Sequence, residues 1–187
     1  MSLKIAWGIT GSGDYIEETI SIMTRISKSP DVDVKLFMSK SGEEVVRWYK
    51  LRETLEEFFP NFSVEKGPNV PFIAGQVQMG KFDLLLIAPT TGNTTAKIAH
   101  GIADTLVTNT VSQAMKARIP VYIYPVDQKI GDVLTILPNG KELTLTMRDV
   151  DIENVEKIKK MKNITVIEDI SEIEELIETS KEKLDEK

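Results

Sequence analysis

Three short stretches carry residue types able to grip a small anionic or polar ligand. The first, Gly8-Ile9-Thr10-Gly11-Ser12-Gly13-Asp14, follows an apolar run and precedes a helical pattern. Glycines in a strand-to-helix turn let backbone N–H groups approach an anion at the positive end of the helix, and the Thr10 and Ser12 hydroxyls add donors. The spacing is neither G-x-G-x-x-G nor G-x-x-x-x-G-K-[ST], so the stretch suits a single phosphate. The same glycines would also serve a plain tight turn, and Asp14 fits an anion site only with its carboxylate turned away. The second stretch, Ser39-Lys40-Ser41, opens a helix, and its hydroxyls and ammonium are placed to reach the same phosphate. Ser41, with Glu44 three residues on, has the spacing of a helix cap, which leaves Ser39 and Lys40 as the ligand candidates.

The third stretch is Ala88-Pro89-Thr90-Thr91-Gly92-Asn93-Thr94-Thr95-Ala96-Lys97. Six small or polar residues in a row, 90–95, directly after a buried strand serve no core purpose, whereas a helix cap would need only one of them. Hydroxyls, an amide and open backbone groups together match the carbonyl and nitrogen edge of a flavin ring, which needs donors and acceptors.

Other chemistry is excluded by what the chain lacks. With no cysteine there is no disulfide, thiol nucleophile, Cys-ligated zinc or iron–sulfur cluster. The one histidine, His100, leaves little material for a metal site or a triad, and its helical setting among Ala and Ile favours packing over catalysis. A net charge of -6 gives no general field for polyanions, which argues against nucleic acid as a partner. The most apolar run, 84–89, is strand-sized, so no membrane span is expected, and with no secretory signal the expected setting is the cytoplasm.

The elements that must position these stretches alternate. Strands are expected at 4–9, 32–38, 82–89 and 120–125. A helix capped by Asp14 and Glu17 carries Ile16, Ile20, Met23 and Ile26, and a second carries Val45, Trp48, Leu55 and Phe58. Trp7 and Trp48 are expected in the core. Residues 61–80 read as a short strand plus loop. Ile98, Ile102 and Leu106 continue one helix after the third stretch, with another from about 109 to 118. Residues 133–147 read as a β-ribbon turning at Asn139-Gly140. A Lys-rich helix, a short strand at 164–167 and a Glu-rich helix follow. Such alternation means βαβ crossovers and an α/β fold, a mostly parallel sheet with helices on both faces. Ligands of these sheets lie beyond the carboxyl ends of the strands, where all three stretches fall.

The three blocks together resemble the FMN-binding flavoprotein family, the superfamily of homo-oligomeric flavin-containing cysteine decarboxylases. The resemblance covers residues 3–126, with the third block its most specific part. It implies a three-layer Rossmann-like (flavodoxin-like) domain over 1–187, made of a core at 3–126 and an extension at 127–187. It implies FMN as cofactor, with Thr10, Gly11, Ser12, Gly13, Ser39 and Lys40 on the phosphate side. Thr90, Thr91, Gly92, Asn93 and Thr94 would lie on the ring side, with Thr108 and Asn109 facing the same site. It also implies a homo-oligomer, a trimer or dodecamer.

The departures matter. The decarboxylases carry a histidine before the central strand, absent from 67–83 here, and their Pro-Ala-Met-Asn block is replaced by Tyr124-Pro125-Val126-Asp127-Gln128. The chain looks closest to the archaeoflavoprotein and dihydromethanopterin reductase branch. The expectation is an FMN oxidoreductase or electron carrier with no obligatory side-chain acid or base and no metal. It would draw electrons from ferredoxin or NAD(P)H and pass them to a pterin or a redox protein. The alternatives are a flavin-dependent decarboxylase or lyase, or a non-catalytic subunit of a synthase complex. Lys157, Lys159, Lys160 and Lys162 would dock an acidic donor, or simply form a solvated face.

Overall fold

The computed structural model describes residues 2–186. Six strands form one sheet: β1 (Leu3–Ile9), β2 (Val32–Met38), β3 (Ser63–Val64), β4 (Leu84–Thr90), β5 (Val121–Pro125) and, after the ribbon strands β6 (Asp132–Ile136) and β7 (Glu142–Thr146), β8 (Ile164–Val166). The order is β3-β2-β1-β4-β5-β8 and every pairing within it is parallel. The expected α/β, Rossmann-like fold is therefore present. All seven residues of β4 are buried, as befits a central strand covered on both faces.

Helices α1 (Ile16–Ile26), α2 (Lys40–Trp48), α3 (Arg52–Phe58) and α8 (Glu172–Asp185) cover one face. Helices α4 (Ile73–Gln78), α5 (Gly92–Ala99), α6 (Leu106–Ala117) and α7 (Asp149–Lys159) cover the other. Alternating strand residues divide between the two cores: Ile5, Trp7 and Ile9 enter the first, and Ala6 the second. Trp7 is fully buried and donates its indole N–H to Ala88 O at 3.0 Å, as its expected core role requires.

Part of the segment beyond residue 126 belongs to the sheet itself, since β8 pairs with β5 and α8 packs on α1 and β1. Ile173 of α8 is 0 % exposed in the first core. Ile173→Val should therefore lower unfolding free energy by about 1 kcal/mol, read as a shift of the urea midpoint at constant slope.

Several expectations are corrected. Leu51 and Lys50, the latter at φ 57°, break the single helix expected to run from the Ser41 cap through Val45, Trp48, Leu55 and Phe58 into α2 and α3. Trp48 at the end of α2 is 64 % exposed, not packed. Helix α5 stops at His100, ahead of Gly101 at φ 70°, so Ile98, Ile102 and Leu106 do not share one helix, and α6 starts at Leu106 under a Thr105–Thr108 capping box rather than at 109. Among the described residues no helix is long and apolar enough to cross a membrane.

Candidate functional site

Strand order reverses between β1 and β4, which place the ends of neighbouring strands around one crevice. Register does the rest. Ile9 pairs with Met38, so β1 and β2 end level and the turns after them start side by side, joined by Ser39 N donating to Ile9 O at 3.0 Å. Gly8 pairs with Ile87, which brings Thr10 beside Pro89. Pro89 has no N–H to give a ladder, and it lies where the β4–β5 register shifts between Ile87 and Thr90. That irregularity turns the end of β4 toward the first loop.

Thr10 bolts the first and third turns together. It is 1 % exposed, donates its hydroxyl to Pro89 O at 2.8 Å and accepts from Thr91 N at 2.9 Å. The first and second turns touch at Gly11, where a Cβ would stand 2.6 Å from the Cβ of Ser41. The three sequence stretches therefore meet.

Within this junction the residues divide by what their polar groups already do. Ser39, not Ser41, caps α2: its Oγ accepts from Gly42 N at 3.0 Å. The Ser41–Glu44 spacing misled because the helix begins two residues earlier. Ser41 and Lys40 instead occupy the first turn of α2, both exposed. Among the described residues the backbone N–H groups of Gly11, Gly13, Lys40 and Ser41 find no acceptor. These amides, at or beside the positive end of a nine-residue helix, form a donor set fit for a phosphate. The Ser12 hydroxyl, 6 % exposed, turns back to Asp14 O at 3.2 Å.

Asp14 does not cap α1. The N-cap is Tyr15, left-handed at φ 60° and without a side-chain cap bond. The Asp14 carboxylate is drawn away to the ribbon, where Thr135 Oγ1 donates to it at 3.3 Å. Burial raises the Asp14 pKa, with the Thr135 bond opposing and Glu18 adding to the rise. Tyr49 OH donates to Ile136 O at 2.9 Å, so the ribbon is latched over the first turn at two points.

In the third turn, Thr91 caps α5, accepting from Thr94 N at 3.3 Å and donating to Thr94 Oγ1 at 3.1 Å. Thr90 is 0 % exposed and gives its hydroxyl to Ile87 O at 2.8 Å, so it shapes the turn from within. Asn93 is exposed, and its backbone N–H has no acceptor among the described residues. Gly92 N donates to Asp127 Oδ2 at 2.8 Å, and a Cβ on Gly92 would lie 2.5 Å from that oxygen and 3.0 Å from Asp151 Oδ1.

Thr108 and Asn109 are occupied elsewhere. Thr108 serves the α6 capping box, and Asn109 Nδ2 donates to Pro68 O and Asn69 Oδ1, both at 2.9 Å. His100 lies at the far end of α5 from Gly92, with Nε2 3.2 Å from Asn154 Oδ1 and Nδ1 3.3 Å from Lys157 Nζ. Sequence reasoning passed over Tyr49, Asp127 and Asp151 and set Ser41 aside as a helix cap. Of the first three, only Asp127 left a signal, as the departure from the Pro-Ala-Met-Asn block.

The Flavoprotein family profile matches residues 1–186. The chain belongs to the Flavoprotein family. Within it, a Methanocaldococcus jannaschii protein described as uncharacterised is 58% identical over 154 residues, covering 82% of this chain and 83% of that one. A dihydromethanopterin reductase (acceptor) of Methanosarcina mazei is 38% identical over 145 residues, or 72% of this chain. The chain spans 59% of that reductase and 66% of a second one, from M. jannaschii, which is 36% identical over 162 residues and 81% of this chain. Among solved structures, Burkholderia xenovorans DmrB in complex with FMN, described as a cubic protein cage for redox transfer, superposes with a TM-score of 0.79 at 29% identity, covering 98% of both chains. The cysteine decarboxylase TvaF, at 19% identity and TM-score 0.67, shares the fold of this flavoprotein, across 97% of this chain and 99% of that one.

Proposed function

We propose that this flavoprotein is an FMN-dependent oxidoreductase or electron carrier, drawing electrons from a ferredoxin-like protein or NAD(P)H and delivering them to a pterin of the dihydromethanopterin kind or to a redox protein. The observation that carries this reading is the junction of three turns at the β1/β4 reversal, with unbonded amides at one end and a small polar turn at the other. It agrees with the family, with the reductase relatives and with the FMN held by DmrB.

In this reading the phosphate is held by Gly11, Gly13, Ser39 and Lys40, joined by Ser41, while Thr10 and Ser12, whose donors are spent on Pro89 O, Thr10 O and Asp14 O, shape the turn from within. Gly11, Gly13, Lys40 and Ser41 give backbone N–H groups, the Lys40 ammonium adds charge, and Thr10 sets the spacing to the next turn. Thr91, Gly92, Asn93 and Thr94 line the ring, with Thr90 supporting them from inside. FMN, when bound, supplies one- and two-electron chemistry that no side chain here provides. The chain orients the ring and tunes it through Asn93, whose side chain is exposed and whose backbone N–H is unbonded among the described residues. The protein works as a single-domain subunit of a homo-oligomer, in line with the cage described for DmrB. Lys157, Lys160 and Lys162 are exposed on and after α7 and suit an acidic donor, whereas Lys159 is already paired with Glu156 and Glu168.

The test is FMN titration of the purified chain followed by anaerobic stopped-flow reduction. Stoichiometric FMN uptake and rapid bleaching of the flavin band by reduced ferredoxin, NADH or NADPH are expected. A chain that binds FMN yet is reduced by none of them is not an oxidoreductase of this kind.

A further inference from the structure

The ribbon leans on the domain with one strand and leaves the other bare. In an antiparallel pair alternate residues spend their backbone groups on the neighbouring strand, and the rest point outward. Met147 N donates to Gly131 O at 3.0 Å and Leu137 N to Lys141 O at 2.9 Å, so the odd-numbered residues of β6 and β7 bond across the ribbon and the even-numbered ones face out. The outer edge of β6 is turned to the domain, where Ile136 O accepts from Tyr49 OH at 2.9 Å. The outer edge of β7 is open: all five of its residues are exposed, and the backbone groups of Glu142, Thr144 and Thr146 have no partner among the described residues. Such an edge is a template for another strand, and proteins usually block it with lysine, proline or a bulge. Strand β7 holds none of these and exposes Leu143 and Leu145 instead.

The segment is also complementary to itself. Laid antiparallel on a second copy about a two-fold axis through Leu145, Glu142 faces the partner's Arg148 and Lys141 the partner's Asp149, and symmetry repeats both pairs. Between them Leu143 faces the partner's Met147 and Leu145 its own counterpart. Thr144 faces the partner's Thr146, and both point their backbone groups outward, as a hydrogen-bonded pair must. An axis through Thr144 would instead set Glu142 against Thr146 and Lys141 against Met147, matching no charge. Lys141, Glu142 and Asp149 have no ion-pair partner among the described residues, and Arg148 keeps Nη1 clear of its bonds to Asp151. We propose that the open edge of β7 docks a second copy of this chain, the two β7 strands pairing about Leu145 to join two ribbons into one four-stranded sheet. The inference rests on the homo-oligomer reading and names one surface of that assembly. A ribbon edge alone falls short of the ~1,000 Å² of a stable interface, so it acts beside other contacts. Since Thr135 and Ile136 tie each ribbon to Asp14 and Tyr49, docking also holds both ribbons down on their own first turns.

The chain has no cysteine, so single cysteines placed on the full chain report the contact directly. In Leu145→Cys the two thiols face each other across a non-hydrogen-bonded pair, with Cα atoms about 4.5 Å apart and within reach of a disulfide. Mild copper-phenanthroline oxidation should convert this variant to a covalent dimer roughly tenfold faster than Leu143→Cys, whose thiol faces the partner's Met147. Adding Glu142→Arg to Leu145→Cys sets like charges opposite each other and should slow the trapping several-fold. All these positions are exposed, and an unchanged thermal melt shows that each variant is folded. Light scattering on the wild-type chain separates the two readings. A monomer sinks the homo-oligomer reading and this inference together. An oligomer in which Leu145→Cys is trapped no faster than Leu143→Cys, or at a rate indifferent to Glu142→Arg, sinks only this one.

Discussion

Gly11→Val is expected to leave the protein folded and to weaken FMN binding at least about a hundredfold. The reason is local and steric. Ser41 Cβ would be 2.6 Å from the new Cβ, and the Ser41 backbone carbon 3.2 Å, so the obstacle is main chain as well as side chain. Overpacking of this kind costs about 1–3 kcal/mol, relieved by parting the first turn from the start of α2. That movement separates the Gly11 and Gly13 amides from those of Lys40 and Ser41, which in the proposed site converge on one phosphate. Losing two charge-assisted bonds at about 1.5 kcal/mol each gives about 3 kcal/mol, or two orders of magnitude in affinity. Titration followed by flavin fluorescence measures it directly. Wild-type affinity in Gly11→Val would mean that the phosphate lies elsewhere.

Thr10→Val is expected to lower stability by about 2–3 kcal/mol, although the two side chains have nearly the same shape. Valine cannot accept from Thr91 N or donate to Pro89 O, and both bonds are made by a residue 1 % exposed. Pro89 O keeps the Thr10 N–H at 3.2 Å, but the half-buried Thr91 N–H is left without a partner, which is the costly outcome. For a chain of this size the melting temperature should fall by roughly 5–10 °C. Thr10→Ser, which retains the hydroxyl, should recover most of it. Calorimetry on all three proteins decides between a lost hydrogen bond and a lost methyl contact.

Much of the sheet was legible in the sequence because its signals are local. The Leu84–Ile87 run could only be a strand buried on both sides, and Val32, Val34, Leu36 and Met38, two apart in the sequence, all turn to the first core in β2. The meeting of the three turns was legible too, since parallel strands put all their carboxyl ends on one side. Helix starts were less so. Ser41 with Glu44 and Asp14 with Glu17 both have the right spacing, yet the parallel register fixes where β2 and β1 end, and the helices start accordingly. Trp48 misled because a hydrophobic stripe says nothing about whether a layer lies opposite it. Asp127 was noticed as a missing clamp. What the residue does depends on Gly92, 35 positions earlier, and no local pattern encodes that contact.

The sheet order also dictates a sequence of assembly. Leu3 pairs with Val32, 29 residues away, while Ile5 pairs with Leu84, 79 residues away. Closing the longer loop costs about 0.9 kcal/mol more entropy, and its far strand leaves the ribosome later. The first two turns of the crevice can thus form on the nascent chain before the third exists, and Asp127, the ribbon and Asp151 follow in that order.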